Sequence, residues 1–101
     1  MTFEILFHPE ARDEAKAAAR YIREEGGEEA AERWLSGLIE KIGSLCEHPH
    51  RCGYAREHQH GGEDELRQLL YGSYRVIYTV IGERVHVLRV RHQRQNELDD
   101  V

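Results

Sequence analysis

Residues 67–78 read Arg67-Gln68-Leu69-Leu70-Tyr71-Gly72-Ser73-Tyr74-Arg75-Val76-Ile77-Tyr78. The β-branched and aromatic side chains on both sides of Gly72-Ser73 favour extended backbone, and two residues beginning with glycine suit a tight hairpin loop. A second pair, Gly82-Glu83, stands where the next loop is needed. Strands are therefore predicted over 65–71, 74–81 and 84–92, as an antiparallel meander. Two-residue loops set Tyr71 opposite Tyr74 and Ile81 opposite Arg84. Alternation then gathers Leu69, Tyr71, Tyr74, Val76, Tyr78, Val80, Val85 and Val87 on one face, the expected core. Leu66, Gln68, Leu70, Arg75, Ile77, Thr79, His86, Leu88, Val90 and His92 fall on the other, with Arg75 near His92 and Arg94 next in phase. The same parity puts Arg67, Arg89 and Arg91 on the core side near strand ends, where their stems pack and their guanidinium groups reach water.

Working upstream, Phe3, Ile5 and Phe7 alternate with Thr2, Glu4 and Leu6 as in a strand, and Pro9 suits the first turn of a helix. That helix is expected over 10–25, with Ala11, Ala15, Ala18 and Ile22 on one stripe and Gly26-Gly27 at its end. A second helix over 28–46 carries Ala31, Trp34, Leu35, Leu38, Ile42 and Leu45 on its apolar face, and the short link makes the two an antiparallel hairpin. From 48 to 64 the periodicity dissolves into a polar connection. The expected fold is α+β in one domain over 1–101: an N-terminal strand, a helical hairpin, then a three-stranded antiparallel meander whose small sheet is covered on one face by the helices.

The chain has 101 residues and a formal net charge of −5. No apolar run approaches the roughly 18 residues of a membrane span, and the first residues lack the layout of a signal peptide, so a cytoplasmic protein is expected. Cys46 and Cys52 are too few for a disulfide scaffold and read as free thiols. Eleven carboxylates face six cations in residues 1–47, whereas between 67 and 94 six arginines, at 67, 75, 84, 89, 91 and 94, face only Glu83. An all-Arg cluster suits phosphate or carboxylate recognition, since guanidinium bonds in pairs; a charge-protected sheet edge is the plainer alternative.

Arg75, alone on an apolar strand, is either functional or a structural arginine paired with a helix or tail carboxylate. Trp34, Tyr74 and Tyr78 read as core. In the connection, Cys46, His48, His50 and Cys52, with His58 and His60 beyond, are zinc-ligand types, but their spacing is not that of a zinc knuckle. The reading for this loop is a mobile polar segment, with no metal and no cofactor; histidines serving acid-base chemistry are the alternative.

The block 67–78, followed by Val87-Leu88-Arg89-Val90-Arg91-His92-Gln93-Arg94, resembles the signature of the RelE/ParE superfamily of type II toxins: an Arg-x-Leu strand, a Gly turn, a Tyr-Arg-hydrophobic-hydrophobic-Tyr strand and a terminal His-x-Arg. Leu45, Pro49 and Gly53 echo its Leu, Pro and Gly passage. The resemblance implies a growth inhibitor neutralised by an antitoxin from the adjacent gene, whose amphipathic segment would take a groove along the helices or beside the open sheet face. It implies one of two targets, DNA gyrase in the ParE branch or ribosome-bound mRNA in the RelE branch. For a nuclease, Arg75, His92 and Arg94 are the catalytic candidates; for a gyrase inhibitor, Arg67, Arg89 and Arg91 are the target-binding ones. Leu66 and Gln68 stand where RelE-type nucleases carry a lysine pair, no Tyr follows Arg94, and the tail Glu97-Leu98-Asp99-Asp100-Val101 is acidic. These departures favour the ParE, or plasmid-stabilisation, branch over mRNA cleavage; a non-toxic antitoxin-binding member is the third possibility.

Overall fold

The computed structural model describes residues 2–59, 64–95 and 98. His60 and most of the acidic tail, Glu97, Asp99, Asp100 and Val101, lie outside them. The chain runs β1 (Glu4–Phe7), α1 (Pro9–Gly26), α2 (Glu28–Gly43), two short 3₁₀ turns (Ser44–Cys46 and Pro49–Arg51), then β2 (Arg67–Tyr71), β3 (Tyr74–Ile81) and β4 (Arg84–His92). The expected elements are all present. The second helix tightens into 3₁₀ geometry for its last three residues, and β2 begins two residues later than expected.

Pro9 opens α1 after an extended His8, and Gly27, at φ 94°, both ends α1 and begins α2. Only a residue without Cβ takes that conformation freely, so one glycine reverses the chain. Ala11 and Ala15 on α1, with Leu38 and Ile42 on α2, pack over Leu69, Val76, Tyr78, Val85, Val87 and Val90 of the sheet. Small side chains on α1 let it approach both α2 and β4. Gly72 and Gly82 both take the left-handed region that tight hairpin turns require.

The sheet order is β1-β4-β3-β2, with β1 parallel to β4 and the other pairs antiparallel. The register at both turns is the expected one, Tyr71 against Tyr74 and Ile81 against Arg84. It slips once along β4. Tyr78 faces Val87 but Ile77 faces Arg89, which leaves Leu88 as an extra residue, a β-bulge. Beyond it the alternation inverts. Val90 turns into the core opposite Val76, Arg89 and Arg91 join the far face opposite Ile77 and Arg75, and His92 comes to the helix side against Tyr74. This corrects the expected placement of Arg89, Val90, Arg91 and His92. Regular alternation past Leu88 would have set two arginines toward the alanine-lined face of α1, and the bulge exchanges them for a valine.

A second correction concerns the far face, expected to be open. Arg75, Ile77 and Thr79 are fully or almost fully buried there. Part of the connection, residues 53–56, is tied to the sheet. Gly53 and Ala55 hydrogen-bond along the outer edge of β2, Tyr54 bridges Arg67, and the Arg56 guanidinium reaches the Gln93 carbonyl at 2.9 Å. A strap from β2 to the end of β4 thus crosses the sheet. No helix among the described residues is long and apolar enough to cross a membrane.

Candidate functional site

A guanidinium keeps its charge at any pH of interest, so burying one demands a carboxylate and well-aligned hydrogen bonds. Arg75, at the centre of the sheet with 0 % exposure, finds both in Glu57 of the strap. Nη1 donates to Oε1 at 2.7 Å and Nη2 to Oε2 at 2.5 Å, a two-pronged pair, and Gln68 Oε1 lies 3.5 Å from Nη1. The Leu98 amide donates to Glu57 Oε2 at 3.1 Å. Burial pushes the Glu57 carboxyl up, but hydrogen bonds from Arg75, Leu98 and its own backbone outweigh it and hold the group at about 2. The arginine partner expected on a helix or in the tail is therefore a residue of the connection.

Glu14 organises a second cluster. β1 ends at Phe7 opposite Val87, so the edge of β4 beyond that point lacks a strand. α1 covers it. Glu14 receives Arg89 Nε and Nη2 at 2.9 and 2.8 Å and the Val90 amide at 2.9 Å, with Arg91 Nη1 at 3.8 Å. The Glu14 hydrogen bonds raise the Arg89 pKa above its ordinary value, against the opposing effect of burial. Arg67 donates to the Cys52 carbonyl at 2.6 Å and to Glu65 at 2.8 Å, and lies over the Tyr54 ring, which stacks on His58. Glu14, Glu57 and Glu65, none of them in the arginine block, thus neutralise much of it.

The structure does not bring Arg75, His92 and Arg94 together. Arg75 is buried on the far face, His92 packs edge-on against Tyr74 on the helix side at 5.1 Å between centroids, and Arg94 is exposed in the turn that follows. The bulge at Leu88 separates the first two. In the connection, His50 packs edge-on against Phe3, and His58 Nδ1 accepts the Leu66 amide at 3.2 Å. No group of three metal-ligating side chains converges among the described residues. Glu57 and Glu14 escaped sequence reading; the only available signal was Arg75 itself, a cation on an apolar strand that needs a carboxylate from somewhere.

An apolar cleft of about 510 Å³ opens between β1 and the helices, lined by Ile5, Phe7, Leu35, Leu38 and Ile39, with Arg12 and Lys16 at its sides. The Glu4 and His8 amides donate to the carbonyls of Glu83, in the turn before β4, and of Val87 in β4, so by alternation Ile5 and Phe7 direct theirs to the open edge of the sheet, beside this cleft.

The family described as "ParE toxin of type II toxin-antitoxin system, parDE" matches residues 5–97. A search of curated proteins by sequence finds no match. Among solved structures, the chain is similar to the chromosomal ParDE system from P. aeruginosa, at 17 % identity over 90 % of this chain and 96 % of that one, TM-score 0.74. It is also similar to the toxin-antitoxin complex RelBE2 from Mycobacterium tuberculosis, at 21 % identity over 91 % and 99 %, TM-score 0.62. A mutant of the E. coli toxin RelE in the free state matches at 22 % identity over 93 % and 86 %, TM-score 0.55.

Proposed function

The chain belongs to the ParE family of toxins of type II toxin-antitoxin systems, and from that premise we propose that it arrests growth by binding DNA gyrase rather than by cutting RNA. The observation that carries this reading is the closure of Arg75. Cleavage by a ribose 2′-OH needs a proton acceptor, a proton donor and open cations around one phosphorane. Here the central guanidinium is spent on Glu57, and His92 and Arg94 stand elsewhere. Arg67, Arg89 and Arg91 are the candidates for the gyrase contact. Their side chains keep 14, 22 and 15 % exposure, so each offers the target only the rim its internal carboxylate leaves open.

The antitoxin's seat, in this reading, is the cleft beside β1. An extended segment there can bond to the Ile5 and Phe7 backbone, set apolar side chains against Leu35 and Ile39, and meet Arg12 and Lys16 with carboxylates. Induced expression tests the target. Gyrase inhibition predicts DNA breaks and an SOS response with bulk mRNA intact, and loss of supercoiling activity when purified toxin meets purified gyrase. Cuts at ribosome-bound codons with gyrase unaffected would overturn the reading in favour of RNA cleavage, and unimpaired growth with soluble toxin present would overturn toxicity itself.

A further inference from the structure

At the end of the molecule where the helical pair meets the β2–β3 turn lies an open cleft of about 520 Å³, lined by Tyr21, Trp34, Tyr71, Tyr74, His92 and the Gly72-Ser73 turn. It is separate from the Arg75 pair and from the cleft beside β1. No lining side chain carries a permanent charge. Tyr21, at 58 % exposure, is one of the most exposed large apolar side chains described. The rings meet steeply: Trp34 and Tyr71 at 55°, Trp34 and Tyr74 at 63°, Tyr74 and His92 at 78°, with centroids 6.0, 5.1 and 5.1 Å apart.

Donors accompany the rings. The Tyr21 and Tyr74 hydroxyls hold no hydrogen bond to another described residue. His92 Nδ1 accepts the Arg94 amide at 3.1 Å, which puts the proton of the neutral ring on Nε2. The Tyr71 hydroxyl donates to the Trp34 carbonyl at 2.9 Å.

These features select an occupant. A flat base gains most when sandwiched between two parallel faces, and none of these ring pairs forms such a slot. Steeply crossed rings form a V, which a puckered apolar ring fills against both walls. A lining without fixed charge offers little to an acidic or basic side chain. Its hydroxyl and imidazole donors call for a ligand with unpaired carbonyl acceptors, and polyproline II backbone has them all along its length. We infer that this cleft docks an extended, proline-bearing segment of a protein partner. The inference goes beyond the gyrase reading, since it names the chemistry of a segment whichever protein carries it.

Trp34 is the only tryptophan of the chain and lies in the cleft, so its emission reports occupancy directly. The full-length protein would be titrated with a decaproline peptide. The expected result is a saturable change with a midpoint on the order of 0.1–1 mM. Tyr21→Ala, at an exposed position, should raise that midpoint at least about fivefold with the melting temperature unchanged. Ser73→Glu, which brings a charge to the exposed turn, should weaken binding similarly. No saturable change by about 5 mM peptide, an unaltered midpoint in both variants, or tighter binding of a nucleoside monophosphate than of decaproline would overturn the proposal.

Discussion

Glu57 and Arg75 show how a single pair can govern a sheet face. Each is buried with side-chain exposure of 2 and 0 %, so neither charge is tolerable without the other. Glu57→Gln should therefore lower stability by about 3–5 kcal/mol, read as a lower urea midpoint at unchanged slope. The double variant Glu57→Met with Arg75→Met should recover most of that loss, because two apolar groups of similar length leave no orphaned charge. The pair also predicts an acid limb. The folded carboxyl titrates near 2, below its ordinary 4.5, so its contribution is complete above about 4.5 and is lost as the pH falls toward 2. The whole contribution is about 3 kcal/mol. Urea melts at stepped pH should show the wild type losing that increment while the double variant does not.

Between elements, two close contacts decide how the helices sit. At Gly37 of α2 any Cβ would collide with the Tyr71 hydroxyl, whose hydrogen bond to the Trp34 carbonyl ties β2 to α2. Gly37→Ala should cost about 1–3 kcal/mol by overpacking, and adding Tyr71→Phe should return part of it by removing the colliding oxygen. Thermal unfolding followed through Trp34 emission measures both. On the other side, Glu14 seals the edge of β4. Arg89→Glu sets two carboxylates face to face and should cost about 2 kcal/mol. Adding Glu14→Arg should restore the ion pair but not the acceptor for the Val90 amide, so recovery should be partial. Stability of these variants has to be measured beside gyrase binding, because a loss of binding in Arg89→Glu alone could arise from an unseated α1.

Across the whole molecule, the two faces of the sheet are closed by different means, the near one by helices with an apolar interface and the far one by a strap with an ion pair. Among the described residues, the edge of β1 and the apolar cleft next to it stay open, as does the aromatic cleft at Tyr21 and Trp34. Hydrogen exchange tests whether that edge is the antitoxin's seat. The Ile5 and Phe7 amides should exchange quickly in the free toxin and slow markedly in the complex, while Leu6, bonded inward to β4, changes little. Equal protection of Ile5 and Phe7 with and without antitoxin would place the partner elsewhere.

Local chemistry in the sequence was enough for the elements and for two registers. Pro9, Gly27, Gly72 and Gly82 act through their own backbone preferences, and apolar spacing shows which face each helix and strand buries, from Ala11 to Val87. Those signals need no knowledge of distant residues. The tertiary structure alone decided the bulge at Leu88, the partner of Arg75 and the place of β1 beside β4. A bulge leaves no mark in composition, because it is chosen by whether Val90 or Arg89 fits against α1. A buried cation takes whichever carboxylate the folded chain brings within 3 Å, and Glu57, eighteen residues away in a segment without periodicity, carries no local sign of that task. The candidate catalytic triad of Arg75, His92 and Arg94 was legible as residue types at a suggestive spacing. Their separation was not, since one extra residue in a strand reverses every side chain beyond it.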